Sequence, residues 1–152
     1  MEKILVVFYS LKGHTKKVGS EVAKLLKADI EEIKDLKDRS RIISWQTSAF
    51  DEELRTPTRI QKSEKNTLDY DLVIIGTPIW EGIVPGVKEY LSRNKFKKVA
   101  FFSTFDAASE EAFYVMEKIC KKKPVATLEV QDRQAFSEEG MKKIVDFCRK
   151  IK

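Results

Sequence analysis

Four short apolar runs, separated by stretches of helical periodicity, constrain the fold of this chain more than any other feature. They are Ile4–Tyr9, Leu72–Gly76, Val99–Ser103 and Val125–Val130. The first three are unbroken and rich in Val, Ile and Phe. Strands of that composition are covered on both faces, which implies a parallel sheet between helix layers. A weaker fifth run, Asp29–Lys34, follows the first helical stretch.

The gaps between the runs read as amphipathic helices. Val18, Val22, Leu25 and Leu26 form one stripe, and Val84, Val87, Tyr90 and Leu91 a second. Phe113, Met116, Ile119 and Cys120 form a third. Met141, Ile144, Val145, Cys148 and Ile151 form the last, with Ser137 placed to cap its start. Between Asp38 and Asp69 the pattern is less regular. Ile42, Trp45, Ala49, Phe50 and Leu54 suit a helix over about 40–54, which Thr56-Pro57-Thr58 would end, with an irregular connection to about 70.

Strand and helix therefore alternate along the whole chain, which predicts an α/β fold: an open, doubly wound, three-layer sandwich on a five-stranded parallel sheet. The strand order expected is 2-1-3-4-5. Right-handed crossovers then put the first and last helices on one face and the middle three on the other. Cys120 and Cys148 would lie on opposite sides of the sheet.

With 152 residues, 42% of them hydrophobic, a single domain over 1–152 has core enough. No apolar run approaches the roughly 18 residues of a membrane span, so no membrane association is expected. Met1-Glu2-Lys3 leads straight into the first strand, so the expectation is a cytoplasmic chain with no signal peptide. A net charge of +5 suits nucleic acid, acidic partners or phosphorylated ligands. The lysines are spread out, and Lys97-Lys98 and Lys121-Lys122-Lys123 are either solvated connections or a docking patch. Nothing resembles a zinc finger or an aromatic RNA-binding signature, so no nucleic-acid partner is expected. Two isolated cysteines make neither a metal site nor a disulfide framework.

Ligands of such sheets bind beyond the carboxyl ends of the strands, where the winding reverses, here between strands one and three. Three turns leave that edge. The first, Ser10-Leu11-Lys12-Gly13-His14-Thr15, opens a helix. A helix N-terminus suits phosphate, Gly13 lets the backbone approach an anion, and hydroxyls, Lys12 and His14 add donors. The loop has neither the ending of a Walker A loop nor the glycines of a dinucleotide loop, and it reads equally as an ordinary strand–helix turn. The second turn, Gly76 to Gly86, is shaped by two prolines and three glycines and carries Trp80. That indole either packs on a planar ligand or folds over the edge of the core. The third runs Ser103-Thr104-Phe105-Asp106-Ala107-Ala108.

Taken together, these turns resemble those of the flavodoxin family, and of its short-chain members in particular. ILVVFYSLKGHTKKVG is similar to the family's first strand, phosphate loop and helix. YDLVIIGTPIWEGIVPGVKEYL is the more specific match, to the third strand, flavin loop and following helix. The run from Val99 to Val130 resembles the fourth and fifth strands without the long-chain insertion. The resemblance implies noncovalent FMN. Ser10, Leu11, Lys12, Gly13, His14 and Thr15 would hold its phosphate. Thr77, Pro78, Ile79, Trp80, Glu81 and Gly82 would border the isoalloxazine, and Ser103, Thr104, Phe105 and Asp106 would close the other side. Lys12 stands where the family usually has Thr, the third loop lacks glycines often found there, and the chain is basic where typical flavodoxins are acidic.

The function implied is electron transfer between redox partner proteins by a monomer or weak homodimer, with no metal and no catalytic side chain. A carboxylate at Glu81 facing the ring would oppose the negative charge of reduced FMN and lower its potential. Two alternatives stand beside this reading. One is an NAD(P)H-dependent quinone or nitro-compound reductase on the same fold; the other is a flavin-free interaction module. Residues 38–70 are either a partner surface or packing.

Overall fold

The computed structural model describes residues 2–35, 60–79, 82–107 and 111–152. Five strands, β1 (Ile4–Phe8), β2 (Asp29–Glu32), β3 (Leu72–Pro78), β4 (Val99–Phe105) and β5 (Thr127–Gln131), form one sheet in the order β2-β1-β3-β4-β5. Every pairing is parallel. Four helices are described: α1 (His14–Leu26), α2 (Pro85–Arg93), α3 (Ala112–Cys120) and α4 (Glu138–Ile151). Short 3-10 turns occupy Thr67–Asp69 and Asp132–Gln134. This is the doubly wound sandwich expected from the alternation. The helix expected over 40–54 lies outside the described residues. In the connection that follows, Ile60 bridges antiparallel to Asp35.

Strand periodicity divides the core in two. Ile4, Val6 and Phe8 of β1 face α1 and α4, where Val18, Val22, Ile144 and Phe147 complete one cluster. Leu5 and Val7 face the other way, toward Val87, Leu91 and Met116 of α2 and α3. β1, β3 and β4 are central, so nearly every residue in them is buried. β5 is an edge strand with an alternating pattern. Cys148 belongs to the first cluster and Cys120 packs against the second, so the sheet separates the two thiols.

Local signals set the helix ends. Ser137 caps α4 by accepting from the Gly140 N–H at 3.1 Å, and Glu138 and Glu139 complement the dipole of its first turn. α1 ends at Lys27, which takes a left-handed φ of 53° and donates to the Ala23 carbonyl. Several local expectations shift. β3 runs on to Pro78 and β4 to Phe105, because each keeps a pairing partner past its apolar run. β2 stops at Glu32, where its register with β1 ends. β5 starts at Thr127, leaving Val125 53% exposed. Leu25 also faces solvent, since it falls at the margin of the α1 stripe. Phe147, absent from the expected stripe of α4, is buried beside Ile144 and Cys148, while Val145 of that stripe is half-buried.

Candidate functional site

The sheet reverses its winding between β1 and β3, and the turns after β1, β3 and β4 open at the same carboxyl edge. The first carries the chain from Tyr9 into α1. The Tyr9 N–H donates to the Gly76 carbonyl at 3.2 Å, and its hydroxyl donates to the Asp35 carboxylate. Gly13 then adopts a φ of 95°, a region that a side chain disfavours. A Cβ there would meet nothing within 4 Å, so Gly13 answers a backbone demand, and the space above it is open. Ser10 Oγ accepts from the N–H groups of Gly13 at 3.0 Å and Lys16 at 3.4 Å.

The start of α1 differs from that of α4. It has no side-chain cap from its N-cap residue and no acid in its first turn. The amides of His14 and Thr15 find no acceptor among the described residues. Unpaired N–H groups at the positive end of a helix dipole suit an anion, and Lys12 and His14 stand beside them.

The second turn leaves β3 at Pro78, paired with Thr104. The Ile79 N–H donates to the Thr104 carbonyl at 2.9 Å, and Ile79 pairs with Ile83 as an isolated antiparallel bridge. Gly82 has a φ of 110° with open space over its α-carbon. Trp80 and Glu81 lie outside the described residues. In the third turn Phe105 is half-buried, while Asp106 is exposed and its carbonyl accepts from Gln131 Nε2 at 2.9 Å.

Buried hydroxyls tie the turns together. Thr15 and Thr104, each 1% exposed, share a hydrogen bond of 2.7 Å between α1 and β4. Thr77 and Ser103 are fully buried neighbours in the β3–β4 register, on the face toward α2 and α3. Thr77 donates to the Pro78 carbonyl at 2.8 Å, and Ser103 Oγ has no partner among the described residues. These two side chains underlie the carboxyl edge rather than project from it.

Leu11, Lys12, His14, Thr15, Pro78, Ile79 and Thr104 line one shallow cleft together with Asp132. Its enclosed part is about 10 Å³, room for about one water, so a larger anion must rest at the mouth. Asp132 was not anticipated. It opens the 3-10 turn after β5, and its Oδ1 lies 3.8 Å from His14 Nδ1. Burial, aided by Asp106, pushes its carboxyl above the usual range, against the pull of His14 and Lys12. The exit of β5 shares the carboxyl edge, so the topology that singled out three turns extends to this fourth one. The His14 ring meets Phe136 edge-on, with centroids 6.0 Å apart, and Phe136 is 69% exposed. Among the described residues, no cluster of three side chains suits a metal ion.

A family model described as Flavodoxin matches residues 3–129. The chain belongs to the flavodoxin family.

Solved structures share the fold of this flavodoxin. A protein of Bacteroides eggerthii DSM 20697 is 20% identical, with a TM-score of 0.74 over 89% of this chain and 94% of that one. A Lactobacillus acidophilus NCFM flavoprotein, solved in complex with FMN, is 21% identical, with a TM-score of 0.67 over 88% and 96%. Oxidised Flavodoxin 2 from Bacillus cereus is 18% identical, with a TM-score of 0.62 over 97% and 96%. Among curated proteins, no match reaches significance. No helix among the described residues is long and apolar enough to cross a membrane.

Proposed function

We propose that this flavodoxin holds one FMN noncovalently and carries electrons between redox partner proteins. One observation carries the reading: the first turn of α1 leaves the His14 and Thr15 amides without an acceptor among the described residues, carries no acid, and opens at the switch point of the sheet. That is a seat for a phosphate monoester.

The chain's residues divide the work of binding. The His14 and Thr15 amides, Lys12 and the His14 ring receive the phosphate at the mouth of the cleft. Ser10 holds the loop in shape through the Gly13 and Lys16 amides. Pro78, Ile79 and Gly82 border one side of the flavin, with Trp80 and Glu81 between them in sequence, and Phe105 and Asp106 border the other. Thr77, Ser103 and Thr104 brace this edge from below. Bound FMN supplies reversible one- and two-electron transfer, and the protein sets its access and potential.

A net charge of +5 favours an acidic docking surface on the partner. The test of carrier against reductase is direct. The FMN-loaded protein, reduced photochemically, should pass its electrons to a one-electron acceptor protein. Alone with NADPH and a quinone it should show no turnover. Sustained NADPH consumption by this chain alone would make it a reductase instead.

A further inference from the structure

His14 and Asp132 meet at the rim of the phosphate seat from opposite ends of the chain. Their Nδ1 and Oδ1 atoms lie 3.8 Å apart, with the side chains 28% and 30% exposed. That is ion-pair distance, too long for a hydrogen bond. Both line the cleft that Lys12 and Thr15 share. A carboxylate on the rim of a seat for phosphate is an electrostatic conflict, because Asp132 repels the anion that the α1 dipole attracts. An imidazolium at His14 would resolve it, since it is attracted to both anions.

We propose that His14 and Asp132 make the seat proton-coupled: it takes up a proton on His14 as it takes a phosphate monoester, and Asp132 is the positioning residue that holds the imidazolium by Nδ1. This rests on the FMN reading above. The surrounding charges come from four elements. Asp132, after β5, faces the ring at ion-pair distance, and Asp106, after β4, and Lys12, in the loop before α1, act on the Asp132 carboxyl with opposite sign. Lys17 of α1 places its ammonium 6.0 Å from the centroid of the Phe136 ring, on which His14 also packs. The arriving phosphate, with up to two negative charges, adds to the side of protonation. The proton makes the site selective for FMN over riboflavin, which lacks the phosphate.

His14 is the single histidine of the chain, so its imidazole C–H resonances report it without ambiguity. NMR titration of the protein alone, saturated with FMN, and saturated with riboflavin tests the coupling. FMN should raise the His14 midpoint by about one pH unit, which by linkage is about a tenfold difference in FMN affinity between the two states of the ring. Riboflavin should not move it, and Asp132→Asn should shrink the rise that FMN causes. An unmoved midpoint with FMN, an equal rise with riboflavin, or no response to Asp132→Asn overturns the proposal while the FMN site stands. If neither flavin binds, both readings fall. Should Asp132→Asn not fold, the two flavins compared in the unaltered protein decide the matter.

Discussion

The hydroxyls of Thr15 and Thr104 lie 2.7 Å apart, although 89 residues separate them in the chain. The bond ties the first turn of α1, the proposed phosphate seat, to the end of β4 and so to the third turn. Thr104→Val keeps the shape but strands the buried Thr15 hydroxyl, which should cost about 1–3 kcal/mol. Urea unfolding should show a lower midpoint at an unchanged slope, and FMN should bind several-fold more weakly.

Gly13→Ala tests the backbone of the turn proposed to seat the phosphate. The added methyl clashes with nothing, so the whole cost is conformational, from holding a side-chain-bearing residue at a φ of 95°. That cost is about 1–2 kcal/mol. A falling Tm should accompany roughly tenfold weaker FMN binding, with riboflavin much less affected.

Gly76 answers a packing demand instead. A Cβ there would stand 2.0 Å from the Phe102 ring, which covers it from the neighbouring strand. Alanine suits extended backbone better than glycine, but overpacking should win and destabilise Gly76→Ala by about 1–3 kcal/mol. Adding Phe102→Leu to Gly76→Ala should recover part of the loss in chemical denaturation.

These positions show what the sequence disclosed. The unbroken apolar runs of β1, β3 and β4 announced a sheet covered on both faces, and the alternation implied its winding and the edge that carries the candidate site. Gly13 was legible as the residue that lets the backbone turn tightly between strand and helix, and its φ of 95° agrees. Asp132 was not legible: no motif surrounds it, and its approach to His14 depends on the β5 exit turning back over α1. Phe147 is buried while Val145 is only half-buried, because the layer packed on α4 decides which marginal residue of a helical stripe it covers; Leu25 sits at the margin of the α1 stripe and is exposed. The demand of Phe102 on Gly76 likewise exists only once β3 and β4 are in register.

Cys148 gives a pH prediction. Burial pushes its thiol from 9.0 up to about 11, so the folded protein keeps a proton that the unfolded chain releases. The stability this contributes is complete below about pH 9 and is lost as the pH rises toward 11. Cys148→Ala should flatten that alkaline decline in Tm, with a thiol contribution of at most about 3 kcal/mol. In thiol titration of the native protein Cys120 should react first, and mild oxidant should form no intrachain disulfide across the sheet.

On the proposed function, the start of α1 seats the phosphate of a flavin laid across the carboxyl edge of the sheet. Absorption titration of the purified protein with FMN tests it most directly. One FMN should be taken up per chain, with the flavin bands shifted from those of the free cofactor and riboflavin bound distinctly more weakly. Bands that stay those of free FMN at equimolar protein, or equal affinity for riboflavin, would contradict it.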